Sequence, residues 1–173
     1  MGTKIKEKAI FIFDEITKLY PNAACELKYS NPLELMIAIM LSAQTTDFAV
    51  NQVTSVLFQK NYDFEDYISV DISILEEDLR HLGLYKNKAK NIKGMTSIVH
   101  NEFKDVFPNN QAKLESLPGV GRKTANVFLA EWFKEPRIAV DTHVKRVSSR
   151  LGLASFNDSV EVVEEKLMKL YPK

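Results

Sequence analysis

Apolar residues recur at three- and four-residue spacing along almost the whole chain, and no segment alternates apolar with polar as a half-buried strand would. The pattern predicts an all-α architecture. Residues 4–19 place Ile5, Ala9, Ile12, Phe13, Ile16 and Leu19 on one stripe, ended by Pro21. Pro32 then opens NPLELMIAIMLSA, apolar on nearly every side after Glu34. A helix apolar all round belongs at the centre of its domain. Thr45 or Thr46 can cap the next helix, which runs to about Gln59. Short helices are expected at 63–69 and 72–81, with a break at Gly83, and a longer one from about 86 to 104, stopped by Pro108. A short helix near 110–116, a turn at LPGVG and a helix through about Lys134 follow, and Pro136 ends the last of these. Helices at 141–151 and 158–170 bring the total to about ten.

At 173 residues the chain suits one compact body with two lobes. No glycine-rich linker divides it, and the pattern is interrupted most clearly around Glu135–Arg137. A composition of 45% hydrophobic and 27% charged residues excludes collagen-like and disordered classes. Lys and Arg number 23, as do Asp and Glu, so any electrostatic footprint depends on where the charges sit. They are segregated. Residues 63–78 carry seven acids and no base, whereas Lys86, Lys88, Lys90 and Lys93 crowd 86–93. Between 117 and 151, seven bases face three acids. The single cysteine, Cys25, excludes an intrachain disulfide and any multi-cysteine metal site, and suits a reducing cytoplasm. The first 21 residues are broken by Asp14, Glu15 and Lys18, so they form a helix and not a signal peptide. Lys6 stands where a myristoylation signal takes Ser or Thr, so Gly2 is not a lipid site. No apolar run approaches the roughly 20 residues of a membrane span, so a soluble protein is expected.

The segment richest in chemistry is LESLPGVGRKTANVFLAEWF, 114–133. Pro118 fixes its φ, while Gly119 and Gly121 permit turns and close approaches closed to other residues. Such a turn entering a helix presents backbone N–H groups with the helix dipole behind them, an anion site suited to one phosphate. Val120 can point inward and pin the flanking helices. Arg122 and Lys123 directly afterwards favour phosphate binding over a plain helix–helix turn. Asp141 is placed to N-cap the helix THVKRVSSRLG, a role worth about 1 kcal/mol. Leu84, following Gly83 in a loop, is odd as core. Gln44 is a polar residue between two helices. Trp132 is expected in the core.

LPGVGRKTAN resembles the helix–hairpin–helix of the endonuclease III family of DNA glycosylase/abasic-site lyases, and IAVDTHVKRVSSRLGL at 138–153 is similar to the segment that supplies that family's aspartate. LSAQTTD at 41–47 and GLYKNKAKNI at 83–92 fit in order, so the likeness spans nearly the whole chain. The resemblance implies an all-helical glycosylase fold: a six-helix domain at 22–135 carrying the hairpin, and a second lobe from 1–21 and 136–173, with a cleft between them. It implies a base-excision-repair enzyme that removes oxidised pyrimidines from duplex DNA and cleaves abasic sites by a lysine Schiff base and β-elimination. Lys123 is then the amine nucleophile and Asp141 the catalytic carboxylate. An ordinary lysine is neutral only about 0.04% of the time at pH 7, so burial or neighbouring charge must assist, with Arg122 and the helix N-terminus as local candidates. Gln44 and Leu84 would fill the space left by a flipped nucleotide. Lys88, Gly119, Val120, Gly121, Arg122 and His143 would contact DNA, with His143 equally readable as structural.

The resemblance departs at the end of the chain. Many family members continue past the segment matching VEEKLMKLYPK with a helix and a four-cysteine loop holding a [4Fe–4S] cluster. This sequence stops at Lys173 with one cysteine, so no cluster is expected, and the second lobe is expected to be incomplete. A naturally short member and a truncated chain both remain open. So do two other functions: a weakly active or inactive DNA-binding module, and a related mismatch glycosylase. A monovalent cation on hairpin carbonyls is compatible with the sequence. The expected partner is duplex DNA bearing a damaged base or abasic site, bound by a monomer in the cytoplasm at the nucleoid.

Overall fold

The computed structural model describes residues 3–171. Gly2, excluded above as a lipid site, lies outside the described residues. Among them are ten α-helices, one 3₁₀ turn and no strand. The helices are α1 (Thr3–Leu19), α2 (Pro32–Leu41), α3 (Asp47–Leu57), α4 (Phe64–Ser69), α5 (Ile72–Leu79), α6 (Tyr85–Phe103), α7 (Gln111–Glu115), α8 (Arg122–Glu131), α9 (Thr142–Arg150) and α10 (Val160–Leu170). The 3₁₀ turn, Phe58–Lys60, extends α3. The chain divides into two compact units, one from Met1–Cys25 with Glu135–Lys173 and the other Glu26–Lys134.

Side-chain caps set most helix starts. Asn31 accepts from the Glu34 N–H at α2, Thr46 from Ala49 at α3, and Asn110 from Lys113 at α7. Asp63 and Asp66 form a reciprocal capping box at α4. The end of α6 differs from expectation. Lys104 and Asp105 turn left-handed, with φ of 52° and 63°, and their N–H groups bond back to His100 and Val99. That closure, of the Schellman type, ends the helix before Pro108 is reached.

In the unit Glu26–Lys134, Leu33 and every residue from Leu35 to Leu41 of α2 are buried, the pattern anticipated for a central helix. Against α2 pack α3, α6 and α8, while α4 and α5 lie on α6 and α7 lies on α8. Phe128, Ile92, Met95 and Tyr67 complete the core. This unit carries seven α-helices among the described residues, α2 to α8, one more than the six that the resemblance implies.

The other unit gathers α1, α9 and α10 around Ala9, Ile12, Val140, Leu153, Val163, Leu167 and Leu170. Only part of the α1 stripe is covered. Ala9 and Ile12 are buried, but Phe13, Ile16 and Leu19 are 55%, 44% and 71% exposed. Phe13 and Ile16 border an apolar groove of about 560 Å³ with Val147, Leu151 and Met168. Three helices bury one face of each other and leave the flank of the stripe uncovered.

Candidate functional site

The hairpin joins α7 to α8 through Leu117–Gly121. Gly119 has φ +77°, and a Cβ there would lie 2.8 Å from the Cβ and Nδ2 of Asn91 on α6. Gly94, one turn along α6, receives Pro118, whose Cγ and Cβ would lie 3.1 and 3.2 Å from an added Cβ. Asn91 and Gly94 thus seat the turn on α6 at a spacing that shares one helix face. Gly121 behaves differently from expectation. Its backbone is extended (φ −92°, ψ 176°), and an added Cβ would meet nothing within 4 Å. It is the N-cap of α8, and no side chain caps that end.

Val120 is 5% exposed and holds the turn from inside, as anticipated, and its N–H bonds to the Leu117 carbonyl at 3.0 Å. That removes it from the expected DNA contacts: side chain and N–H are both engaged within the hairpin. Arg122 is half-buried, and Lys123 is exposed in the first turn of α8, where a buried amine was one expectation.

Asp141 caps α9 as expected. One oxygen, Oδ1, accepts from the N–H groups of His143 and Val144, each at 2.9 Å. Two bonds from backbone N–H groups fix the position of this half-buried carboxylate. His143 is exposed, and its Nδ1 lies 3.0 Å from Nη2 of Arg146, one turn along α9. Lys123 belongs to the Glu26–Lys134 unit and Asp141 to the other.

The two candidate gap-filling residues share a feature the sequence gives no hint of. Gln44 (φ 56°) and Leu84 (φ 59°) are both left-handed, and neither is glycine. Each such residue costs about 1–2 kcal/mol, and among the described residues Asn61, Lys104, Asp105 and Lys134 share this backbone. Gln44 is exposed between α2 and α3; Leu84 is 60% exposed at the start of α6.

Lys88 overturns its expected role. It is 7% exposed, and its ammonium donates to the Leu41 carbonyl at 2.9 Å and to Thr45 Oγ1 at 2.7 Å. Burial pushes its pKa below the ordinary lysine value. A buried, engaged ammonium does not reach phosphate. Lys93 also turns inward, donating to the carbonyls of Ile68 at 2.8 Å, Tyr67 at 3.2 Å and Val70 at the end of α4. The positive charges of the 86–93 cluster left exposed are those of Lys86 and Lys90. Trp132, expected in the core, is 39% exposed just past the end of α8.

Among the described residues no cluster of three or more His, Cys, Asp or Glu side chains could hold a metal ion. A [4Fe–4S] cluster takes four thiolates, and the 173 residues supply one, Cys25, so the residues present do not fit that group.

The family model for HhH-GPD superfamily base excision DNA repair proteins matches residues 37–173. Endonuclease III of Bacillus subtilis (strain 168) is 49% identical over 163 residues, covering 94% of this chain and 74% of that protein. Endonuclease III of Synechocystis sp. is 44% identical over 169 residues, 97% of this chain and 77% of that one. A solved endonuclease III–DNA complex, a trapped covalent intermediate with an estranged adenine, superposes with a TM-score of 0.93 at 48% identity, covering 99% of this chain and 80% of that one. The helical order, the seated hairpin and these similarities agree: the chain belongs to the HhH-GPD superfamily of base excision DNA repair proteins.

Proposed function

We propose that this enzyme is a bifunctional DNA glycosylase and abasic-site lyase that removes oxidised pyrimidines from duplex DNA. One observation carries the reading: an exposed amine, Lys123, stands in the first turn of a helix whose N-terminus has no side-chain cap, directly after the Gly119–Gly121 turn. That helix end and turn suit a DNA phosphate, which the charge of Arg122 reinforces. The target nucleotide is turned out of the duplex at a cost of a few kcal/mol, and Gln44 and Leu84 fill the space it leaves.

The neutral amine of Lys123 attacks C1′, and the glycosidic bond breaks with its electron pair leaving on the base, which takes up a proton. Opening of the sugar ring gives a Schiff base between Nζ and C1′. Removal of a C2′ proton then expels the 3′ phosphate by β-elimination, and water hydrolyses the imine to return the lysine. Asp141 supplies the carboxylate, assisting Lys123 or stabilising the positive charge growing on the sugar. His143 is assigned a contact to the DNA backbone. No step uses a metal or cluster, and a monovalent cation on hairpin carbonyls is the one ion the reading accommodates. The enzyme acts as a monomer on DNA of the cytoplasmic nucleoid. None of the described helices is long and apolar enough to cross a membrane.

The similarity to endonuclease III supports this reading over a binding-only module or a mismatch glycosylase. Borohydride reduction with abasic-site duplex tests it. The expected result is a covalent protein–DNA adduct that disappears in Lys123→Gln. Tight binding without an adduct in the unaltered protein, or an equal adduct with Lys123→Gln, overturns it.

A further inference from the structure

Lys88 is a buried cation with no bonded carboxylate among the described residues, and its two acceptors explain where it sits. Leu41 is the last residue of α2, so the ammonium lies at the negative end of a helix dipole, the position at which a lone cation is best tolerated. Its second acceptor, Thr45 Oγ1, itself donates to the Ala43 carbonyl at 3.3 Å. The lysine therefore grips the α2–α3 loop on both sides of the left-handed Gln44. Lys88 itself stands in the first turn of the helix that Leu84 caps, its N–H making the opening helical bond to the Leu84 carbonyl at 3.0 Å, so its side chain ties the α2–α3 loop to the turn that carries Leu84. One residue is bonded to the segments carrying both candidate gap-filling side chains, which lie forty residues apart in sequence.

We infer that Lys88 is a positioning residue that holds Gln44 and Leu84 in fixed relation, so that both enter the duplex together as the nucleotide leaves it. The inference rests on the proposed gap-filling roles of those two residues. Lys88 itself does not touch DNA in this role. Its ammonium orders the loop before binding, so that ordering is not charged against the flipping step. A purely stabilising lysine would affect every substrate alike, whereas a positioning lysine matters only where a duplex must be invaded.

The test compares excision from duplex DNA under single turnover with borohydride trapping on a single-stranded abasic oligonucleotide, which needs no gap to be filled. Lys88→Met keeps the aliphatic stem and removes the donors. Since an ångström of misplacement can lower a rate a hundredfold, the duplex rate is expected to fall about 10–100-fold while single-stranded trapping stays within about twofold. A 2-aminopurine placed beside the lesion should lose its flipping-dependent fluorescence rise in the same variant. Lys88→Arg, which keeps the charge and donors, should recover part of the duplex rate. If Lys88→Met does not fold, Thr45→Val removes one acceptor in a milder way and should lower the duplex rate selectively. Equal loss on both substrates, or loss on neither, overturns the inference. Gln44→Ala and Leu84→Ala separate the two levels. If they lower the duplex rate selectively and Lys88→Met does not, only the positioning role fails; if they too leave it unchanged, the gap-filling roles fail and the inference with them.

Discussion

Gly119 and Gly121 stand two residues apart in one turn and are required for different reasons. At Gly119 the backbone is left-handed and a methyl group would collide with Asn91. Gly119→Ala is therefore expected to lower unfolding free energy by about 1–3 kcal/mol, measured by urea denaturation. At Gly121 the backbone is extended and the space beside it open. Gly121→Ala should cost about 0.5–1 kcal/mol, because alanine is a poorer N-cap than glycine, and weaken DNA binding, because the methyl occupies the approach to the helix end. The sequence shows two glycines and cannot tell these duties apart, since the difference lies in what α6 brings beside each. Asp141 allows a similar separation. Asparagine caps a helix about as well as aspartate, so Asp141→Asn should leave the melting temperature nearly unchanged while single-turnover excision falls sharply. A parallel loss of stability would mean that the carboxylate is only a cap.

Helix α6 seats the hairpin through Asn91 and Gly94, closes the C-terminal ends of α2 and α4 through Lys88 and Lys93, and leaves Lys86 and Lys90 to solvent. As a row of four lysines the segment reads as a phosphate-binding stripe, because charge shows in a sequence and side-chain direction does not. Helical spacing sends part of the row toward the neighbouring helices, where carbonyls at helix ends attract it. The salt dependence of DNA affinity should report this division. Lys86→Gln or Lys90→Gln should flatten the plot of log affinity against log salt, by up to about 0.9 for each phosphate that is no longer neutralised. Lys93→Gln should leave the slope unchanged while lowering stability. For α1 the sequence marks the apolar stripe correctly, but burial depends on how many partners a stripe finds. With α9 and α10 as its companions, Phe13 and Ile16 stay exposed to water.

At the level of the whole chain, the two units differ in the size of their cores. The Glu26–Lys134 unit centres on the buried α2, whereas the other relies on a small cluster from α1, α9, α10 and their loops. Hydrogen exchange is expected to show α9 and α10 opening at lower free energy than α2 and the middle of α6. Acid should act on the smaller unit through Asp158. Its Oδ2 accepts from Lys166 at 2.6 Å and from the Ser155 N–H at 2.7 Å, and these bonds hold its carboxyl below the usual carboxylate range. A depressed carboxyl contributes stability that is fully present above its unfolded pKa of about 3.9 and is lost as pH falls through the folded value. The melting temperature of the smaller unit should therefore drop below about pH 4, and Asp158→Asn should be less stable at neutral pH with a shallower acid dependence.

The amino-acid order alone carried the all-helical architecture, the central place of α2, a cap at Thr45 or Thr46, the cap at Asp141, and the kinship of the hairpin with known repair proteins. These depend on periodicity and on side chains acting within four residues of themselves, which a linear string records. The inward turn of Lys88, the left-handed backbones at Gln44 and Leu84, the separate tasks of the two hairpin glycines and the half-covered face of α1 emerged only in three dimensions. Each is fixed by groups distant in the chain, as when Lys88 reaches Leu41 and Thr45 across more than forty intervening positions. Folding alone chooses among such partners, by weighing desolvation against the bonds that burial permits.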